Sequence, residues 1–343
     1  MEASFMRRGW VYACLLFSIA VGWPARPARA QQDMLPLRVR LGDVSINKVP
    51  TIIAYEEGIY KKNGLDVQQW ISPGAADVVN KSGYNIPDQY VRNAPADIGL
   101  GGGAPAIVSR VNSARGGDRI ILATTDCVVR WPIIARRGIN KLEDLKGKRL
   151  GFSGVGAMTH FLALVFAKRM NWDPVSDISL LANGDSFDTF QNGSVDALIV
   201  SEMSDPIVRK AGFSPLVDTR KWNVPIAGSG VTASKAWVQK NPETVRRFVK
   251  SFVDAIALMK KERESAHKAM AKWYNIKDRE VAGMVYAGAA EMPRKPYPCV
   301  EGIKKTMEVY DSNEMRRYKP EDFYDASFVR ELDESGYIDN LYR

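Results

Sequence analysis

Ala96-Asp97-Ile98-Gly99-Leu100-Gly101-Gly102-Gly103-Ala104-Pro105 is the stretch on which the architecture turns. Residues 96–100 read as a buried strand, the three glycines end it, and residues 104–110 read as a helix. Three successive glycines cost backbone entropy, and the usual compensation is close approach of another chain or a ligand. Upstream, residues 37–41 (LRVRL) alternate as a strand. Residues 42–47 form a loop, 50–60 a helix opened by Pro50 with Gly58 near its end, and 65–70 another strand. Strand, helix, strand in this order implies a parallel sheet with helices on its faces. Residues 119–124 add a further strand.

A second cycle starts near Cys127. Strands are expected at 132–135, 149–152, 178–181, 195–200 and 216–217. Helices are expected at 158–170, 186–192 and 205–210, with one turn at 142–145. Beyond Gly228 one last strand is expected at 230–233, and the text then becomes helical. Asn241-Pro242-Glu243 starts a helix in which Val245, Phe248, Val249, Phe252, Ile256 and Met259 recur at three and four, giving one apolar face. Further helices are expected at 264–274, 278–290, 300–311 and 325–332. No solenoid repeat and no low-complexity linker interrupts the chain, which favours lobes joined by short crossing strands.

The first thirty residues read as a secretory signal peptide. Arg7 and Arg8 precede a charge-free apolar run of thirteen residues, 10–22, and Ala28-Arg29-Ala30 supplies the small-residue cleavage site. The run is short for a membrane span. An uncleaved anchor and a lipid on Cys14 are the weaker alternatives, and cleavage after Ala30 is expected. The sequence carries a formal charge of +9. The leader, with four arginines and Glu2, accounts for +3 of it, so the remainder is near +6. That modest excess lies in no lysine-arginine stripe, which argues against nucleic acid and fits mild attraction of anions. Cys127 and Cys299 remain after the leader, and an exported protein permits a bond between them. The spacing does not show whether they meet. His160 and His267 sit far apart and no metal-ligand motif occurs, so no metal and no cofactor are expected.

In open parallel sheets a ligand lies beyond the carboxyl ends of the strands. Four loops qualify. Asp43 and Ser45 lie in the first. Gly102, Gly103 and Ala104 lie in the second. Ser153, Gly154, Gly156, Ala157 and Thr159 lie in the third, where small residues and a following helix offer N–H groups to a carboxylate, sulfonate or phosphate. Glu202 lies in the fourth and suits an amine on the ligand. Trp131, at the crossing into the second lobe, could cover the apolar part of a ligand or sit in a core. His160 reads as a hydrogen-bonded helix residue. No nucleophile elbow or fixed triad appears, so no catalytic residue is assigned.

Together, PTIIAYEEGIYKKNG (50–64), PADIGLGGGAP (95–105), LEDLKGKRLG (142–151), GSVDA (193–197) and KNPE (240–243) resemble the periplasmic solute-binding proteins of nitrate, sulfonate, taurine and bicarbonate-type importers, a family that includes binders of thiamine-pyrimidine precursors. The likeness covers most of residues 38–260. It departs at Tyr90-Val91-Arg92-Asn93-Ala94-Pro95, where the family has a compact segment. It implies an α/β, type II clamshell of two mixed-sheet lobes joined by two crossing strands, with a helical C-terminal extension. Residues 31–127 and 224–343 would form the first lobe and 128–223 the second. It further implies a monomer that captures a small anion in the periplasm for a membrane permease with a cytoplasmic ATPase. A neutral or cationic heterocycle as ligand, or a sensor role, stays open. A related branch makes the thiamine pyrimidine from its own histidine and pyridoxal phosphate, but it carries a cysteine-rich iron motif that this chain lacks.

Overall fold

The computed structural model describes residues 34–113 and 117–343; the signal peptide expected at 1–30 lies outside the described residues. Within them the chain forms two mixed sheets. The strands run β1 (Leu35–Leu41), β2 (Leu65–Ile71), β3 (Ile98–Gly102), β4 (Arg119–Thr124), β5 (Ile133–Ala135), β6 (Arg149–Phe152), β7 (Ser179–Ala182), β8 (Ala197–Ile199), β9 (Pro215–Val217) and β10 (Ser229–Ser234). The first sheet has the order β2-β1-β3-β10-β4 and the second β7-β6-β8-β5-β9.

Strand direction follows from the path of the chain. β1, β2 and β3 are mutually parallel, as are β6, β7 and β8, and the ends of β3 and β6 point at the other lobe. The chain enters the second lobe from the side of the cleft, so β5 lies antiparallel to β8. It returns the same way, so β10 lies antiparallel to β3 and β4. The two crossing segments, 125–131 and 223–229, also run antiparallel. They are joined by Thr125 N–H to Ser229 O, Ile226 N–H to Cys127 O and Val129 N–H to Val224 O, each 3.0 Å. The question left open for the cysteines is answered here, because Cys127 and Cys299 form a disulfide with 5.5 Å between their Cα atoms.

Each lobe fixes its central register with the same device. Asp97, entering β3, accepts from the backbone N–H, Nε and Nη2 of Arg38 on β1, at 3.0, 3.0 and 2.7 Å. Asp196, entering β8, accepts from the same three groups of Arg149 on β6, at 2.9, 3.0 and 2.8 Å. A bidentate fork adds geometric specificity to a pairing that backbone bonds alone would allow to slip. The A-D-I-G and V-D-A stretches therefore act as register locks.

The core of the first lobe places Leu37, Val39 and Leu41 of β1 in one apolar cluster with the helix Pro242–Lys261. Val245, Phe248, Val249, Phe252, Ile256 and Met259 of that helix are all fully buried. Each such side chain contributes about 1.5–3 kcal/mol by leaving water. The second core gathers Phe161, Leu162, Val165 and Phe166 of the helix Met158–Arg169. The helix expected over 50–60 is divided in two, Val49–Glu56 and Ile59–Lys62, because Gly58 takes a left-handed conformation between them. A helix not anticipated, Pro73–Asn80, follows β2.

The helix Val300–Val309 packs on both the helix Gly103–Asn112 of the first lobe and Met158–Arg169 of the second. Gly302 also lets it approach the returning crossing segment. A Cβ there would stand 1.7 Å from Ile226 O on that segment. Lys168 and Glu308 pair at 2.8 Å between this helix and Met158–Arg169.

Candidate functional site

A cavity of about 550 Å³ lies between the lobes, walled by the loops that follow β1, β3, β6 and β8. Of the residues singled out from the sequence, Asp43, Ser45, Gly102, Trp131, Ser153, Ala157, Thr159 and Glu202 line it. Gly103, Ala104, Gly154 and Gly156 do not form its wall. Ala104 is fully buried.

The three glycines serve three purposes. Gly101 faces the cavity, and a Cβ there would meet nothing within 4 Å. A Cβ on Gly102 would press on Met158 and Pro105 at 3.0 Å. A Cβ on Gly103 would strike Ala227 O at 2.4 Å. Only the first glycine leaves space open to a ligand. The third lets the helix Gly103–Asn112 approach the returning crossing segment.

Glu202 lines the cleft, yet its Oε1 is buried and has no hydrogen-bond partner among the described residues. Its Oε2 accepts from the Trp131 indole N–H at 2.7 Å. Burial, and then the charge of nearby Asp126, raise the Glu202 pKa to about 7. Asp126, 3% exposed on the outgoing crossing segment, accepts from Ser229 N–H at 2.5 Å, and burial raises its pKa as well. Lys48, 1% exposed, donates to Asp43 Oδ2 at 2.6 Å and to Ser229 Oγ at 2.5 Å. It ties the loop after β1 to the start of β10. Asp185, not singled out from the sequence, also lines the cavity, and burial raises its pKa.

The third loop is closed on itself. Ser153 N–H donates to Thr159 Oγ1 at 2.9 Å, and the two hydroxyls share a 2.5 Å bond. Ala157 N–H donates to Gly154 O at 3.0 Å. Gly156 N–H donates to His160 Nδ1 at 3.1 Å, and Tyr310 reaches the same nitrogen at 3.2 Å. His160 stacks on Phe152, and burial lowers its pKa. The Gly156 and Ala157 amides and the Ser153 and Thr159 hydroxyls, expected to face an anion, thus hold the loop together.

The lobes touch across the mouth of the cavity. Tyr84 of the first lobe donates to Met203 O at 2.6 Å, and Ser204 donates to Ser82 Oγ at 3.3 Å. Met203 belongs to the apolar cluster of the first lobe. Arg40, Arg119, Ser229 and Thr232 are among the other first-lobe residues of its wall and were not singled out from the sequence. Arg40 could have been found, because strand alternation puts it opposite the buried Val39 and Leu41 on β1.

The fold and the cleft agree with the comparisons. A binding protein of Brucella abortus is 26% identical over 242 residues, which cover 65% of this chain and 66%, just under two thirds, of that relative. The structure of the alkanesulfonate-binding protein SsuA from Xanthomonas axonopodis pv. citri, bound to MOPS, superposes with a TM-score of 0.62 at 16% identity, covering 84% of this chain and 96% of that one. The nitrate-binding protein NrtA from Synechocystis PCC 6803 gives a TM-score of 0.67 at 12% identity, covering 88% and 89%. These likenesses establish the type II clamshell. The family described as NMT1/THI5 like matches residues 45–266, well over half of the sequence. With two lobes around a cavity and that match over residues 45–266, the chain belongs to the NMT1/THI5-like family.

Proposed function

We propose that this protein captures a small organic solute in the periplasm and delivers it to a membrane permease driven by a cytoplasmic ATPase. The leader read in residues 1–30, the family and the enclosed cleft support this reading. The lobes would part about the crossing segments near 127 and 224. No catalytic step is assigned to the site.

The solute presents a hydrogen-bond donor, an amine or a ring N–H, to Glu202. The observation that carries this is the buried Glu202 Oε1, which lacks a partner among the described residues. A buried acceptor left unmatched costs about 1–3 kcal/mol, and a donor on the ligand removes that cost. Trp131, 7% exposed, holds the other oxygen and offers an apolar ring edge beside it. An anion seated on the loop 153–159 is less well supported, because it would have to displace the internal bonds of that loop.

Titration calorimetry on the purified protein against amines, aminopyrimidines, alkanesulfonates, carboxylates and nitrate tests the reading. Saturable binding of a nitrogen donor that is lost in Glu202→Ala supports it. Binding confined to nitrate or simple anions and unaffected by that substitution overturns it.

A further inference from the structure

The cavity does not end at the cleft. It continues over one face of the first sheet, along a strip made bare by two glycines. On β3, Ile98 and Leu100 point into the core, so Gly99 and Gly101 present the opposite face. Gly99 pairs with Arg40 on one side and Thr232 on the other, forming a row across β1, β3 and β10. The Arg119 guanidinium lies over this row. Its Nη2 donates to Thr232 O at 2.9 Å and to Thr232 Oγ1 at 3.2 Å, and a Cβ on Gly99 would stand 2.9 Å from the same nitrogen. Glycine at 99 therefore makes room for an arginine, as glycine at 101 makes room for a ligand.

Arg40 and Arg119 both line the cavity. Among the described residues neither forms an ion pair, and the Arg40 guanidinium has no hydrogen-bond partner. The two are close enough that, after burial, the charge of Arg40 is the next influence that lowers the Arg119 pKa. Asp118, the chain neighbour of Arg119, opposes this only as the third influence, so two like charges over a bare strip of sheet, neither in an ion pair among the described residues, leave an unmet demand for an anion. Guanidinium groups meet it best through bidentate bonds to a planar or tetrahedral oxyanion.

We infer that Arg40 and Arg119 form an anion subsite of the solute cavity, and that the solute is an elongated molecule with a nitrogen donor at one end and a carboxylate, sulfonate or phosphate at the other. The inference rests on the reading of this cavity as the solute site. It gives the anion a seat on the first-lobe sheet, away from the loop before the Met158–Arg169 helix.

The test uses separate probes for the two ends. Methanesulfonate is titrated into isotope-labelled protein while the Arg119 Nε–H and Trp131 indole N–H resonances are followed. A saturable shift of Arg119 that vanishes in Arg40→Gln, with Trp131 unmoved, is expected. A shift that never saturates, or none at Arg119, overturns the subsite. Propylamine, in a parallel titration, reports on the Glu202 end through Trp131 alone. Failure of propylamine with success of methanesulfonate would sink the Glu202 reading and leave the anion subsite standing. Straight-chain ω-aminoalkanesulfonates of increasing length then join the ends. The best of them should bind at least about tenfold more tightly than either fragment, and lose about 10- to 100-fold in Arg119→Gln. Equal affinity for the fragments and every linked probe would show that one molecule does not span both seats.

Discussion

The indole N–H of Trp131 donates to Glu202 Oε2 at 2.7 Å, while the other oxygen of that carboxylate is buried without a partner among the described residues. Trp131 stands where the chain enters the second lobe, and Glu202 stands after β8 of that lobe. The pair therefore ties the crossing point to the cleft wall and leaves one oxygen for whatever the cleft holds.

That arrangement makes ligand affinity depend on pH with a definite sign. Glu202 is raised to about 7 from an ordinary 4.5, so a ligand amine must drive off a proton when it binds in mildly acidic solution. Affinity should rise with pH by up to about tenfold per unit below 7, and level off above it. Glu202→Gln should flatten the profile in calorimetric titrations across that range. An affinity that instead climbs as pH falls would place negative charge beside Glu202.

The same shift acts on stability in the unliganded protein. A folded pKa above the unfolded one favours the fold fully below pH 4.5, and this contribution is lost as pH rises through about 7. The change is on the order of 3 kcal/mol. Chemical denaturation of Glu202→Gln and the parent at both ends of the window should show a smaller fall for the variant. Ligand saturation should restore much of what the parent loses.

Gly101 and Gly103 should respond to substitution in opposite ways. Gly101→Val adds atoms to open space in a strand, so the fold should keep its melting temperature while solute binding is blocked. Gly103→Ala places a methyl against the Ala227 carbonyl, a contact that must shift backbone, and should destabilise by about 1–3 kcal/mol. Equal melting temperatures for the two variants would contradict the separate roles assigned to adjacent glycines.

Tyr84 should act on dissociation more than association. Its hydroxyl donates to Met203 O across the two lobes at 2.6 Å, a bond that parting of the lobes would break. Tyr84→Phe removes a bond worth about 1 kcal/mol, which predicts roughly fivefold weaker binding, mostly from faster release in stopped-flow traces.

The disulfide between Cys127 and Cys299 closes a separation of 172 residues. Replacing both cysteines with serine should lower unfolding free energy by about 2–5 kcal/mol. An unchanged denaturation midpoint for the double variant would show that packing of the Val300–Val309 helix suffices without the bond.

Much of the fold could be read from the chain because its signals are local. The apolar face of Pro242–Lys261 recurs at helical spacing, and the helix Asp205–Lys210 begins and ends where its text does. Gly58 was visible near the end of the first helix, but that it would turn left-handed and divide the helix was not. The loops after β1, β3, β6 and β8 were recognised as cavity walls, and each contributes to one. What the sequence hid was long-range. Whether Ser153, Gly156 and Ala157 face a ligand depends on the partners their N–H groups find, and Thr159, His160 and Gly154 satisfy them locally. Arg40, Gly99 and Thr232 share a row only through the register of three strands, one of which returns after the whole second lobe. Asp97 and Asp196 were visible as motif residues, but their clamps on Arg38 and Arg149 required knowing which strands are neighbours.

The bond from Cys127 to Cys299 also has a topological meaning. With it closed, residues 127–299 are a covalent ring that holds β5 to β10 and the helices as far as Arg279–Ala290. A protease that cuts any one loop inside the ring frees no fragment, because both ends of the cut remain tethered through the sulfurs. If the protein is exported as proposed and meets secreted proteases, a nicked second lobe would then stay attached and could still close on the first.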